Sequence, residues 1–164
     1  MGIGFVAMLK KPFIFGLPIF ETMMNLPTIF YCDDDHDDLE LFKDAVDLID
    51  EPVKVFSLGD EMLRQLRNPP PSPSLVFLDL NMPIKSGIDV LKEIRLSEAF
   101  GKLPVIIFST TSNPVTIQQT KDLGADLFIT KPPSLQRISE CVKSVLKIDW
   151  DTFKRTDKNY VMNC

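Results

Sequence analysis

The apolar run Leu-Val-Phe-Leu at 75–78, followed directly by Asp79, places the strongest constraint on the fold of this chain. Consecutive apolar residues of this kind are typical of a strand that is buried on both faces of a parallel sheet. Pro83 prevents the strand from continuing, because proline has no N–H group and a fixed φ, and Gly87 precedes a helical pattern. Ligands bind beyond the carboxyl ends of parallel strands, so Asp79 is a candidate functional residue, although a turn residue is the simpler interpretation of an isolated aspartate.

Alternating strand and helix patterns extend on both sides of this run. Strand patterns occur at 27–32, 53–57, 75–78, 105–108 and 125–129. A helical pattern follows each of them, beginning near residues 37, 59, 87, 113 and 135. This alternation indicates a parallel sheet with helices on both faces, and right-handed crossovers leave few topologies. The predicted fold is a doubly wound five-stranded parallel α/β sheet with the flavodoxin-like order 2-1-3-4-5, an order adopted from known proteins of this class.

Composition narrows the class of protein. The 164 residues suit one domain, and 45% apolar with 25% charged residues is the balance of an ordinary globular protein. The net charge of −5 and the lack of a long basic run argue against a nucleic-acid partner. The three cysteines have no zinc-site spacing, and any disulfide would leave one unpaired. We therefore expect a reducing, cytoplasmic setting, with Cys32 and Cys141 in the core.

The two ends of the chain do not follow the alternating pattern. Residues 1–26 contain an apolar run that is too short to span a bilayer and that lacks the cleavage site of a signal peptide. We expect an extra N-terminal segment, with translation normally starting at Met23 or Met24; the alternative is that its aromatic residues pack on the domain. The domain itself is predicted at 27–148, with a short polar tail at 149–164 and no membrane partner.

Polar residues follow four of the predicted strands at the edge where ligands bind. Asp33 and Asp34 follow the first strand, Asp79 the third, Ser109 the fourth and Lys131 the fifth. In the adopted order the first and third strands flank the crevice, so three carboxylates would converge there. Their repulsion favours a divalent cation with oxygen ligands such as Mg²⁺, and the lysine and the hydroxyl supply donors for an anion. Together these groups describe phosphoryl transfer to an aspartate.

These motifs resemble those of the receiver domain of two-component response regulators, over roughly residues 27–147. The matching pieces are the acidic pair after the first strand, the run 78–83 with Gly87 behind it, Ser109-Thr110, and Lys131-Pro132. Each piece alone is a weak pattern, but four in order, each at a strand end, are specific. The resemblance implies a stand-alone, CheY-like switch that is not an enzyme, apart from catalysing its own phosphorylation and dephosphorylation.

The resemblance also implies a metal-binding set around the phosphoacceptor. Asp79 would accept the phosphoryl group and would also bind Mg²⁺. Asp34 would be the direct metal ligand, Asp33 would hold a metal-bound water, and Asn81 would offer its backbone carbonyl to the metal. A shift of one residue could exchange Asp34 for Asp35, so both assignments remain open at this point.

Residues on the other side of the crevice would bind the phosphoryl group and transmit its presence. The resemblance implies that Ser109 and Lys131 bind phosphoryl oxygens. Phe128 occupies the position of the switching aromatic, where the family more often has tyrosine, and we expect its ring to rotate inward upon phosphorylation. Thr110 occupies the gatekeeper position near the approach of the hydrolytic water, where the family often has a small residue.

The remaining residues of the acidic stretch are interpreted as the beginning of the first helix. Asp35, Asp37 and Asp38 are suited to cap the helix or to interact with its dipole. His36 could be a metal ligand or a phosphodonor, but an exposed helix-start residue is the simpler interpretation.

The resemblance implies protein partners at two surfaces. A sensor histidine kinase or a histidine phosphotransfer protein would donate the phosphoryl group. A downstream protein target would bind the face formed by the fourth helix, the fifth strand and the fifth helix, and the chain would be a monomer or a phosphorylation-dependent homodimer. The alternative is a receiver-like binding module that works without phosphorylation. A free-standing enzyme is disfavoured, since no glycine-rich phosphate loop follows the first strand.

Overall fold

The structure, a computed structural model, describes residues 13–14, 17–18, 28–69 and 71–164. The expectations for residues 1–26 lie outside the described residues, except that Phe13–Ile14 and Leu17–Pro18 form a short antiparallel pair. Among the helices of the described part, none is long and apolar enough to cross a membrane.

One parallel sheet forms the centre of the described chain. Its strands are β1 (Thr28–Cys32), β2 (Val53–Phe56), β3 (Pro73–Leu78), β4 (Val105–Ser109), β5 (Leu127–Thr130) and β6 (Val161–Met162). They lie in the order β2-β1-β3-β4-β5-β6, with every neighbouring pair parallel. The predicted doubly wound sheet of order 2-1-3-4-5 is confirmed, and a sixth strand that the sequence pattern did not indicate is added beside β5.

Helices connect the first five strands and cover both faces of the sheet. They are α1 (His36–Asp47), α2 (Gly59–Arg67), α3 (Gly87–Leu96), α4 (Pro114–Asp122) and α5 (Leu135–Leu146). Four of them begin at a side chain that accepts a hydrogen bond from a backbone N–H of the first turn, at Asp35, Ser86, Asn113 and Ser134. Such caps satisfy donors that the helix itself leaves unpaired, so the helix starts follow from these local residues.

The central strand β3 contributes to two separate cores. Successive side chains of a strand point to opposite faces, so Val76 and Leu78 pack in one core while Leu75 and Phe77 pack in the other. The first core also contains residues of α2 and α3, and the second contains residues of α1 and α5. Burial on both faces explains why the strand is an unbroken apolar run rather than an alternating one.

Residues 149–164, expected to be a short polar tail, pack against the sheet. Val161 pairs with Phe128 of β5, and Met162 pairs with Ile129. Tyr160 is only 2% exposed and lies in the same core as Phe128. A two-residue strand among polar neighbours has no detectable period, and this is why the sequence pattern missed it.

The cysteines also differ from the expectation in one respect. Cys32 is a buried free thiol and Cys141 is fully buried, as predicted. However, Cys141 forms a disulfide with Cys164, although no pair was expected. The reducing, cytoplasmic setting inferred from the cysteine pattern stays a prediction.

Candidate functional site

Three carboxylates come together at the carboxyl ends of β1 and β3. Cys32 pairs with Leu78 across these neighbouring strands, so Asp33 and Asp79 leave the sheet side by side. Asp33 is 1% exposed and Asp79 is 4% exposed, whereas Asp34 is exposed. One carboxylate oxygen of each of these three residues lies within 4.8 Å of the others. The structure therefore brings together the three acidic side chains that the sequence placed at one crevice.

The Lys131 ammonium lies among the carboxylates of the site. Its Nζ is 2.5 Å from Asp33 Oδ2, 2.6 Å from Asp38 Oδ2 and 3.2 Å from Asp79 Oδ1. Its backbone N–H donates to the Ser109 carbonyl over 2.9 Å, which fixes the end of β5 beside the end of β4. Burial alone would lower the pKa of the Lys131 ammonium, but the hydrogen bonds to Asp33 and Asp38 raise it above its ordinary value. Lys131 is therefore a permanent cation in this site.

Asp38 is a member of the site that sequence reasoning missed. It was interpreted only as a helix-start residue, and it does lie in the first turn of α1. The structure adds that its carboxylate is one of the three that contact Lys131. The available signal was its position in the first turn of α1, a few residues after the end of β1.

Asp33 is held by donors at both of its oxygens. Its Oδ1 accepts the Asp35 N–H over 3.0 Å, and its Oδ2 accepts both the Lys131 ammonium and the Tyr31 hydroxyl. Burial raises the pKa of the Asp33 carboxyl, although the hydrogen bonds from Lys131 and Tyr31 oppose this shift. Burial and the nearby Asp33 charge raise the pKa of the Tyr31 hydroxyl, so it remains a donor. Tyr31 was also missed, because it occurs inside an apolar strand pattern.

The candidate phosphoacceptor is positioned by the loop that follows β3. The Asn81 N–H donates to Asp79 Oδ2 over 2.6 Å. The Gly87 backbone approaches so closely that a Cβ atom there would lie 2.0 Å from the Asp79 carbonyl oxygen. Any larger residue at position 87 would displace the backbone of Asp79, and this explains the glycine at the start of α3. The metal contact expected of the Asn81 carbonyl stays a prediction.

The residues expected to bind and sense the phosphoryl group lie on the β4 and β5 side of the site. Ser109 is fully buried at the end of β4, and Thr110 beside it is exposed. Phe128 is also fully buried, with its ring centroid 6.4 Å from that of Tyr160. The Phe128 ring therefore already lies inside the protein, beneath a residue of the segment 149–164, and its switching role stays a prediction.

The geometry distinguishes the members of the acidic stretch from one another. Asp35 accepts the backbone N–H groups of Asp37 and Asp38 over 2.9 and 3.3 Å, so its side chain caps α1. Asp34 is grouped with Asp33 and Asp79. The His36 side chain is 80% exposed, as expected of a helix-start residue, and its Nδ1 lies 3.6 Å from Glu40 Oε1.

The clustered carboxylates of Asp33, Asp34 and Asp79 fit a divalent metal ion. Carboxylate oxygens are the ligands that hard divalent cations such as Mg²⁺ and Mn²⁺ prefer.

A doubly wound sheet with an acidic crevice at the ends of β1 and β3, the switch point of this strand order, is the arrangement that the resemblance to receiver domains led us to expect. Residues 29–143 match the family model described as the response regulator receiver domain. The chain therefore belongs to the response regulator receiver family of two-component systems and has the CheY-like fold of that family.

Curated response regulators match parts of the chain. Response regulator RR06 of Streptococcus pneumoniae is 38% identical over 89 residues, which cover 54% of this chain and 39% of that protein. Response regulator Rcp1 of Synechocystis is 31% identical over 75 residues, which cover 46% of this chain and 51% of that protein. The match thus spans about half or less of the length of either relative.

A solved structure matches most of the chain. The structure of the phosphorylated cyanobacterial phytochrome response regulator RcpA superposes with a TM-score of 0.67 at 29% sequence identity. The match covers 79% of this chain and 97% of that one. The similarity therefore extends over nearly the whole of a protein described as a phosphorylated response regulator.

Proposed function

We propose that this chain is a single-domain response regulator in which Asp79 accepts a phosphoryl group from a sensor histidine kinase or a histidine phosphotransfer protein. Phosphorylation would then change the binding of a downstream protein in a phosphorelay. The observation that carries the proposal is the position of the Asp79 carboxylate, which is buried between an acidic pair and the Lys131 ammonium. The description of RcpA as phosphorylated supports it.

The two carboxylate oxygens of Asp79 have different partners. Oδ2 accepts the Asn81 N–H, and Oδ1 lies 3.2 Å from the Lys131 ammonium. An Asp79 oxygen forms the new bond to phosphorus as the bond from phosphorus to the donor's histidine nitrogen breaks. The three transferred oxygens carry negative charge, so Lys131 would exchange its contacts with Asp33 and Asp38 for a phosphoryl oxygen. The Ser109 hydroxyl would turn toward another phosphoryl oxygen.

Asp33, Asp34, Asp79 and the Asn81 carbonyl would hold a Mg²⁺ ion, with Asp33 contributing through a water molecule. When it is bound, Mg²⁺ supplies positive charge that offsets the repulsion between the carboxylates and the incoming phosphoryl oxygens. The raised pKa of Lys131 keeps its ammonium charged for the same purpose throughout the physiological pH range.

The downstream target would bind the face formed by α4, β5 and α5. Phe128 in β5 and Thr120 in α4 are both buried beneath this face, and Tyr160 contacts both of them. A shift of Ser109 at the end of β4 would be transmitted to this region through β5, its neighbour in the sheet. The response would therefore be a change in the population of two arrangements of this face.

Incubation with acetyl phosphate and Mg²⁺, followed by intact-mass measurement, tests the proposal. The wild-type chain should gain the mass of one phosphoryl group, and Asp79→Asn should not. Asp37→Asn is the matched control, because Asp37 is an exposed first-turn residue of α1, and it should be modified like the wild type. Modification of Asp79→Asn would overturn the assignment. An unmodified wild type would favour a phosphorylation-independent binding module.

A further inference from the structure

The disulfide closes a loop around the segment 149–164. Cys141 lies in the buried face of α5, and Cys164 is an exposed residue beyond β6. The two cysteines are 23 positions apart, and the bond attaches the Cys164 end of the segment to α5, with which the other end is continuous along the chain. Within this loop lie β6 and the buried Tyr160, which means that the bond constrains the contacts of both.

Tyr160 connects the segment to α4 and β5, two of the elements that form the proposed target-binding face. The Phe128 N–H donates to the Tyr160 carbonyl over 2.8 Å, so the backbone of β5 is paired here. The Tyr160 hydroxyl lies 2.8 Å from the Thr120 hydroxyl of α4. Because both partners are buried, the position of Tyr160 affects the packing between α4 and β5.

Trp150 and Phe153 pack against the second core and hold the beginning of the segment. Beyond them, the apolar contacts are those of Tyr160 and of the partly buried Met162. The strand β6 has two residues, and Val161 within it is exposed. Lys121 pairs with Asp157, whose side chain is 92% exposed, and exposed ion pairs of this kind contribute little stability. The Arg155 side chain donates to the Ala125 carbonyl. A strand of two residues is held weakly by its own pairing, so we expect the disulfide to supply part of the stability that keeps β6 and Tyr160 on β5 and α4.

We propose that Cys141 and Cys164 form a reversible thiol–disulfide site, and that reduction of this bond releases β6 and Tyr160 from β5 and α4. The proposal does not depend on phosphorylation of Asp79. It agrees with a reducing setting, because disulfides in cytosolic proteins are commonly transient and redox-sensing.

The chemistry requires a dithiol reductant. Its thiolate attacks the sulfur of the exposed Cys164, the bond between the two protein sulfurs breaks, and Cys141 leaves as a thiolate that takes up a proton. The second thiol of the reductant then attacks the mixed disulfide and releases Cys164. Two electrons pass to the protein disulfide, and the dithiol is oxidised to its own disulfide.

Release would change the surface beside β5. The Phe128 N–H would lose its partner, the edge of β5 would be unpaired, and the Phe128 ring would lose the cover of Tyr160. Unpaired strand edges are templates for pairing with other segments. The thiol state would therefore alter the same face that phosphorylation is proposed to alter.

Hydrogen exchange in the full chain tests the proposal, with and without dithiothreitol. The reporter is the Phe128 amide, and the internal reference is the Asp79 amide, which donates to the Cys32 carbonyl in the core. Reduction should speed exchange at Phe128 on the order of 100-fold, the effect of opening a loop of this length, and should leave Asp79 protected. In a separate measurement, the oxidised chain is unfolded to expose the buried Cys32, its free thiols are alkylated and its mass is measured. One thiol, that of Cys32, should be alkylated.

Two variants sharpen the test. Cys164→Ser replaces the exposed partner and should exchange rapidly at Phe128 whether or not the dithiol is present. Cys32→Ala is the matched control, because it removes the free thiol and keeps the pair, so it should respond like the wild type. Three free thiols in the oxidised chain would overturn the proposal. So would equal exchange at Phe128 in both states, or equal acceleration at Phe128 and Asp79, which would indicate global unfolding.

Discussion

The hydroxyl of Tyr31 donates a hydrogen bond to Asp33 Oδ2, the oxygen that also accepts the Lys131 ammonium. Tyr31 lies in β1, and its ring stacks on Phe42 of α1 with the centroids 4.2 Å apart. The Tyr31 hydroxyl thus links the aromatic core on this face of the sheet to a carboxylate of the acidic crevice. Since both partners are buried, this hydrogen bond fixes the orientation of a proposed metal-binding carboxylate.

Tyr31→Phe should lower the free energy of unfolding by about 1.5–3 kcal/mol, the range for a hydrogen bond to a charged group. The ring and its stacking on Phe42 are kept, so the loss reports the hydroxyl alone. Urea unfolding measures it. Tyr160→Phe is the control, because its hydroxyl bonds the neutral Thr120 hydroxyl, and about 1 kcal/mol is expected there. A smaller loss for Tyr31→Phe than for this control would contradict the orienting role.

The acidic pair can be separated from the helix cap by two substitutions. Asp34→Ala should remove both Mg²⁺ binding and phosphorylation by acetyl phosphate, since Asp34 is grouped with Asp33 and Asp79. Asp35→Ala should be phosphorylated normally while losing about 1 kcal/mol of stability, because Asp35 caps α1. Mg²⁺ titration followed by NMR, together with intact mass, measures both effects. Normal phosphorylation of Asp34→Ala would transfer the ligand role to Asp35.

Removal of the central cation should make stability depend on a metal. Lys131→Met leaves the carboxylates of Asp33, Asp38 and Asp79 without their ammonium partner, and breaking such a buried pair costs about 3 kcal/mol. Mg²⁺ should restore more stability to this variant than to the wild type, because the ion replaces the lost positive charge. Urea unfolding with and without Mg²⁺ measures the difference.

Lys92→Met is the control for that experiment. Lys92 pairs with Asp89 3.5 Å away at the exposed surface of α3, where an ion pair contributes about 1 kcal/mol at most. Its stability should therefore change little, and its response to Mg²⁺ should equal that of the wild type. An identical Mg²⁺ response in Lys131→Met would show that the carboxylates do not share a cation site.

The positions of Asp33 and Asp79 were predictable because local patterns determine them. An apolar strand that ends at an acid, followed by a proline and a helix, fixes the strand boundary, and parallel neighbours place such ends together. Asp35, the cap of α1, was among the candidates for the same reason. These features depend on residues that are close in sequence or on the general topology of a parallel sheet.

The features that were missed depend on contacts between distant residues. In the sequence, Tyr31 is part of an apolar strand pattern and nothing marks it as a site residue. The structure shows that its hydroxyl donates to Asp33. Tyr160 and β6 have no periodic pattern, and the pairing of Cys141 with Cys164 follows from the position of a segment that no local signal located. Tertiary packing, rather than residue preference, decides each of these cases.

Both tyrosines of the chain should resist ionisation in the folded state. Burial raises the pKa of Tyr160 from 10.0 to about 12, although the Thr120 hydrogen bond and the Arg155 charge oppose the shift. The folded state then holds a proton that the unfolded state loses between pH 10 and pH 12. Stability from Tyr160 is therefore complete below pH 10 and falls by about 2–3 kcal/mol as the pH rises to 12. Urea unfolding across this range should show a shallower fall in Tyr160→Phe than in the wild type, and equal slopes would contradict the assignment.

The lifetime of the phosphorylated form should depend on Thr110. Hydrolysis requires a water in line with the bond between Asp79 and phosphorus, and Thr110 is an exposed residue directly after the buried Ser109. Its methyl and hydroxyl groups occupy space that alanine would leave open, so they should hinder the water. Thr110→Ala should therefore dephosphorylate faster than the wild type. The decay of the phosphorylated form, followed by intact mass after removal of acetyl phosphate, measures this rate.

The competing possibility for Thr110 is that its hydroxyl orients the water and speeds hydrolysis. Thr110→Val separates the two effects, because valine keeps the bulk of threonine and removes the hydroxyl. If bulk controls access, Thr110→Val should decay as slowly as the wild type while Thr110→Ala decays faster. If the hydroxyl orients the water, both variants should decay more slowly than the wild type, and the gatekeeping hypothesis would be rejected.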